Sequence, residues 1–298
     1  MLARTHGQPA TPTTMGKELA VFVARLTRIR RRIREVEVLG KANGASGDYA
    51  AHVVAAPDID WQAFSRDFVE SFGLTWNPLT TQIESHDWQV ELYGHLEHAN
   101  GVLHNLCTDV WTYISLGYLR QVPVPGATGS STMPHKVNPI RFENAEANLE
   151  LSAGVLGTLA RTLVTTRLQR DLTDSSSQRN VGVGVGHALV ALDNIARGLG
   201  EVDLDRDALA ADLDANWEVL GEAIQTVVRA EVAAGRSALE NPYEVVKALT
   251  RGRRVDASAL AAFVDGLDLP DAAKQRLRAL TPATYTGLAE RLVEHVRA

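Results

Sequence analysis

The stretch 15-MGKELAVFVARLTRIRRRIREVEVL-39 decides how this chain folds. Its apolar residues Met15, Leu19, Phe22, Leu26, Ile29, Ile33 and Val36 recur in steps of three and four, which keeps them on one side of an α-helix for several turns. The helix start is predicted at Thr13 or Thr14. The arginines of 24-ARLTRIRRRIR-34 fall off the stripe. Such a run invites a nucleic-acid reading, yet this placement fits a solvated face or an ion-pair surface between subunits.

Three more stripes repeat the spacing. They are Trp88 to Gly117 (through Leu92, Leu96, Ala99, Leu103, Leu106, Val110 and Tyr113), Phe142 to Leu163 (through Ala145, Leu149, Ser152, Leu156 and Leu159) and Val181 to Leu199. An average step near 3.5 favours shallow crossings of about 20° between helices some 30–50 Å long. Val21, Val23 and Val38 lie outside the stripe, as burial against other subunits requires. No comparable period-two alternation occurs, so the fold class is all-α. Past Glu201 the pattern shortens and is broken at Gly235, Asn241-Pro242, Gly252, Gly266, Pro270 and Pro282. Two domains follow: residues 1–202, a long-helix bundle, and residues 203–298, a small C-terminal helical domain.

Composition narrows the function. The 298 residues can bury a sizeable core, and a net charge of −6 without basic excess argues against a nucleic-acid binder, whose affinity comes from neutralising phosphates. Cys107 is the only cysteine, so no intrachain disulfide can form. The sequence opens without a cationic stretch followed by an apolar run, and no apolar stretch approaches the roughly 20 residues that span a bilayer. The expected setting is the cytoplasm, with no nucleic-acid or membrane partner.

Three polar segments interrupt the stripes. In 3-ARTHGQPATPTTMGKE-18, His6 sits in a Gly/Pro-rich loop ahead of the first helix, where an imidazole suits proton transfer at neutral pH or bonds its own backbone. In 167-RLQRDLTDSSSQRN-180, Ser175-x-x-Gln178 fits a capping box, so the fourth long helix is predicted to begin there. With Arg167, Arg170 and Arg179 beside it, that start is either an anion site or an ordinary capped helix. In 126-GATGSSTMPHKVNPIRFENAE-146, Asn138-Pro139 reads as the cap and first residue of the third helix. Lys136 brings a positive charge near Ser130 and Ser131, and the glycines allow a lid, although a polar interhelix loop would look the same. The histidines 95, 98 and 104 lack a metal-binding motif and read as helix-surface residues.

Together these segments resemble the fumarase/aspartase superfamily of β-eliminating lyases. The sequence 129-GSSTMPHKVNP-139 matches its long and specific signature, within a loop spanning 121–140. Further matches, 80-TTQIESHD-87 and 249-LTRGRRVD-256 among them, resemble the adenylosuccinate lyases of the bacterial purine-biosynthesis type. The resemblance implies a homotetramer with shared active sites and a core of long helices. It also implies elimination of fumarate from adenylosuccinate and from the succinylated carboxamide ribotide SAICAR, without metal or organic cofactor. Carried over by residue, His6 is the general acid, Ser130 the general base, and Lys136 and Asn138 hold substrate carboxylates. Thr5 and Gln82 contact substrate, and Arg170, Ser175 and Arg179 form a substrate and phosphate group. Family members carry an N-terminal domain ahead of the His6 segment, so a truncated fragment is expected. Two other readings stay open here: a sister lyase such as one acting on argininosuccinate, and a helical assembly module without catalysis.

Overall fold

The computed structural model describes residues 1–122, 133, 136–250 and 255–296, the side chains of 248–250 excepted. In chain order the elements are β1 (Ala3–Thr5), β2 (Gln8–Ala10), α1 (Met15–Glu35), β3 (Leu39–Gly40), α2 (Ala50–Ala55), α3 (Trp61–Glu70), β4 (Thr75–Trp76), α4 (Asp87–Ser115) and β5 (Leu119–Gln121). Then come α5 (Ile140–Leu163), α6 (Thr173–Gln178), α7 (Val181–Gly200), β6 (Val202–Leu204), α8 (Arg206–Asp214), α9 (Gly221–Ala233), α10 (Pro242–Thr250), α11 (Ala257–Gly266), α12 (Asp271–Arg278) and α13 (Ala289–Leu292). The fold is all-α in class, with strands of only two or three residues. Among the described residues, no helix is long and apolar enough to cross a membrane.

The chain divides into two compact units. One comprises Ala24–Ser115 and Gln121–Asp203. Here α4, α5 and α7 pack side by side with α5 in the middle. Cross-links fix their directions: Asn100 meets Ser152, Thr108 meets Glu146 and Trp111 meets Glu143, so α4 and α5 run antiparallel. His187 on Asn148 and Asn194 on Asn144 do the same for α5 and α7. The stripe residues Phe142, Ala145, Leu149, Leu156, Leu159 and Leu163 are all buried, each leucine contributing about 1.5–3 kcal/mol by leaving water. Ser152, which the stripe placed among them, is fully buried and accepts from Asn100 Nδ2 at 2.8 Å.

The second unit comprises Met1–Val23, Leu116–Arg120 and Leu204–Ala298. Its core joins Leu220, Ile224 and Val228 of the α9 region to Leu260 and Val264 of α11 and to Ala273 and Leu277 of α12. Asp205 and Asp256 cap α8 and α11 by accepting from Ala208 N and Ala259 N. The expected breakers act as punctuation: α10 opens at Pro242, α11 closes at Gly266, and Pro270 precedes α12. Gly252 lies outside the described residues.

Several helix ends differ from the sequence reading. The second stripe stops at Ser115, because Gly117 takes the left-handed φ of +75°. The first helix ends at Glu35, and Leu39 pairs with Thr75 in the parallel β3–β4 ladder instead. Its start agrees, since Thr14 Oγ1 accepts from Lys17 N. At the third helix Pro139, not Asn138, is the cap and makes no side-chain bond.

Candidate active site

His6 lies at the tip of the β1–β2 hairpin rather than in an irregular loop. Thr5 pairs with Gln8, leaving His6 and Gly7 as the two turn residues, with φ of 52° and 75°. A two-residue hairpin turn of type I′ takes positive φ at both central positions; glycine meets this freely and histidine more readily than most side chains. The turn therefore holds Thr5 and the imidazole of His6 exposed. Its base is anchored where Arg4 donates to Asp212 at 2.7 Å and the Tyr118 hydroxyl donates to the same carboxylate. Burial first, then the Asp212 bond, push the Tyr118 phenol up to about 12.

The other described site residues belong to the long-helix unit. Gln82 is exposed on the segment between β4 and α4. Lys41 pins that segment: its Nζ donates to the carbonyls of Gly44, Thr81 and Gln82 at 3.0, 2.8 and 2.7 Å. Burial lowers the Lys41 pKa. Fully buried Asn43 adds a bond to Thr80, and Gly47 lies so close that a Cβ there would meet Thr80 O at 2.1 Å.

The Gln82 segment meets the segment that carries Arg170. Gln82 N donates to Gln169 O at 3.4 Å. Asp174, 6% exposed, receives His86 Nε2 at 3.2 Å and Arg170 at 3.4 Å on the same oxygen. Beside this junction lies a cavity of about 380 Å³ lined by Thr80, Thr81, Ser85, Leu163, Thr166 and Asp174, with further apolar side chains. Gln82, Arg170 and the helix bearing Ser175 are thus brought together. Arg179 is exposed at the end of that helix.

The expected capping box is not formed. Residues 173–178 make the separate short helix α6, whose cap position is Leu172 without a side-chain bond. Asp171 takes the role instead, accepting from Thr173 N at 2.9 Å and Arg167 N at 3.0 Å, so Ser175 has no cap to make. The Thr173 bond first, with help from Arg167, holds the Asp171 carboxyl down at about 2. The fourth long helix accordingly starts at Val181.

Lys136 and Asn138 are exposed on the run into α5, which the Gln121 side chain steadies by donating to Val137 O. Ser130 and Ser131 lie outside the described residues. Sequence reasoning missed Lys41, His86 and the carboxylate role of Asp174. His86 stands in the quoted 80–87 motif, but nothing local announces its φ of 64° or a partner 88 positions away.

Antiparallel long helices thus carry this polar junction at their ends. Residues 1–155, just over half of the chain, match the family model described as Lyase, and the chain belongs to that family. Residues 166–286 match the model described as Adenylosuccinate lyase C-terminal. Adenylosuccinate lyase of Escherichia coli (strain K12) is 51% identical over 297 residues, covering 100% of this chain and 64% of that protein. The Vibrio cholerae protein of the same name is 52% identical over 295 residues, covering 99% and 63%. The chain thus spans about 64% of the length of curated relatives. Among solved structures, 3-carboxy-cis,cis-muconate lactonizing enzyme from Pseudomonas putida superposes with a TM-score of 0.72 at 23% identity, over 99% of this chain and 65% of that one, a likeness of fold.

Proposed function

We propose that the protein is an adenylosuccinate lyase that eliminates fumarate from adenylosuccinate, leaving AMP, and from SAICAR, leaving AICAR. The observation that carries this reading is the junction of the Gln82 and Arg170 segments beside a cavity. Relatives at about half identity over the whole chain bear the name adenylosuccinate lyase. In this reading Ser130 removes the proton from the succinyl Cβ, the C–N bond breaks, and His6 protonates the departing purine N6. Charge builds on the carboxylate next to the carbanion, where Lys136 and Asn138 bind the transition state better than the ground state. Thr5 and Gln82 contact the substrate, and Arg170, Ser175 and Arg179 take its phosphate end.

The reading includes a cytoplasmic homotetramer with active sites shared between subunits. It is supported by the exposed apolar residues Leu151 on α5 and Leu189, Val190 and Leu192 on α7, which lie on helices otherwise packed for burial. The test is the ultraviolet absorbance change on adding adenylosuccinate, with argininosuccinate as the comparison. Turnover of adenylosuccinate alone is expected, falling at least about a thousandfold in Ser130→Ala while substrate binding persists. Full activity of Ser130→Ala, or turnover of argininosuccinate instead, refutes the reading.

A further inference from the structure

Asp174 is buried, and its environment is a poor one for a carboxylate kept only for stability. One oxygen, Oδ2, serves both His86 Nε2 at 3.2 Å and Arg170 at 3.4 Å, longer than the 2.7–2.9 Å typical of strong charge-assisted bonds. The other, Oδ1, and Nε of Arg170 are buried without a hydrogen-bond partner among the described residues. A charge taken out of water with half its bonds unmade costs stability, and an apolar residue of similar size would pack there more cheaply. The arrangement does something else well. His86 comes from the Gln82 segment, Arg170 from the other, and Asp174 is the side chain that both touch. Gln178 Nε2 lies 3.4 Å from both nitrogens of the His86 ring and reaches Gln89 at 3.3 Å. The imidazole is therefore held by both Asp174 and Gln178, and the Arg170 guanidinium is held by Asp174.

We propose that Asp174 is a positioning residue: it aligns the Arg170 guanidinium with the Gln82 segment, so that both meet the phosphate-bearing end of a nucleotide in one register. The inference rests on the reading of the site as a nucleotide-binding one. In this proposal Asp174, although it borders the cavity, acts through Arg170 and His86. Its value lies in removing rotamer freedom from an arginine before the ligand arrives, which lowers the entropy cost of binding rather than the barrier to chemistry.

The experiment compares the protein with Asp174→Asn and His86→Gln, using adenylosuccinate, its dephosphorylated nucleoside, and AMP binding by calorimetry. For Asp174→Asn the expected result is a KM for adenylosuccinate and a Kd for AMP both raised about tenfold, with kcat within about twofold. The nucleoside, which offers Arg170 no phosphate, should show the same KM in both forms. His86→Gln should show the same selective pattern at about threefold and keeps the test available if Asp174→Asn fails to fold. Unchanged AMP affinity in the variants overturns the proposal, as does an equal loss on phosphorylated and dephosphorylated substrates. If the parent protein binds AMP but turns nothing over, the lyase reading fails while the calorimetry still decides the role of Asp174. If it binds no AMP, both fail.

Discussion

Replacing Lys41 by methionine tests how the Gln82 segment is held. The ammonium serves three carbonyls, Gly44, Thr81 and Gln82, within 2.7–3.0 Å. A hydrogen bond to a charged group contributes about 1.5–3 kcal/mol, so a simple count of three gives a loss of about 4.5–9 kcal/mol. Two effects reduce that figure. The site is half-buried, so water can replace part of what is lost, and the lowered pKa of Lys41 shows that burying the ammonium carries its own penalty, which methionine removes. We expect a net loss of about 2 kcal/mol in urea unfolding followed by circular dichroism.

The functional effect should be selective. With Thr81 and Gln82 released, KM for adenylosuccinate should rise about fivefold to tenfold and kcat should change by less than about threefold. Lys41→Arg should not restore the parent value, because a planar guanidinium cannot converge on three carbonyls around one point. The pH dependence carries a sign as well. Since the folded pKa lies below the unfolded 10.5, the folded chain binds fewer protons just below that pH, and the contribution of Lys41 to stability grows with pH there. Lys41→Met removes that slope. A variant with unchanged KM and unchanged unfolding midpoint would refute the reasoning.

Three further expectations concern stability. Ser152→Ala leaves Asn100 Nδ2 without its partner in the α4–α5 core and should cost about 1–3 kcal/mol in urea unfolding, most of it recovered in the double variant with Asn100→Leu. Gly198→Ala should destabilise by about 1–3 kcal/mol, because its Cβ would meet Phe142 Cζ at 2.8 Å, whereas Gly154→Ala, with nothing within 4 Å, should gain up to about 1 kcal/mol from helix propensity. Between pH 9 and 12 unfolding should become easier: burial raises Cys107 from 9.0 to about 12, and burial with the Asp212 bond raises Tyr118 from 10.0 to about 12. Both are acids kept neutral by the fold, so their stabilisation is complete below the unfolded pKa and is lost as pH rises through the folded one; Cys107→Ala should remove the portion that begins near pH 9.

The long helices were legible because their signal is local and repeated. A residue such as Leu156 is buried by its own helix face, and its neighbours at steps of three and four say so. Ser152 shows the limit of that signal: periodicity placed it inside, but only the partner on α4 explains a hydroxyl there. The His6 hairpin was missed because three-residue strands are too short to alternate visibly, and its turn is set by two positive φ values. The capping box failed through competition, Asp171 reaching the Thr173 N–H that a Ser175 cap would have left irrelevant. Long-range ties were invisible for a simpler reason: Lys41 finds Gln82 across 41 positions and His86 finds Asp174 across 88.

Those two ties act on one short piece of chain. Lys41 grips the carbonyls of residues 81 and 82, and Asp174 grips residue 86 through its imidazole, so the segment is fixed on both sides of Ile83, Glu84 and Ser85. Glu84 stiffens that span from within, taking His86 N at 2.8 Å and Asn77 Nδ2 at 3.2 Å. A segment held at both ends loses most of its order when either tie is cut, so a second cut has less left to release. Lys41→Met and Asp174→Asn should therefore fall short of multiplicative in KM when combined, with a coupling of about 0.5–1 kcal/mol in a double-mutant cycle. Independent anchoring predicts the full product of the two penalties, and a measured product would mean that Asp174 works on Arg170 alone.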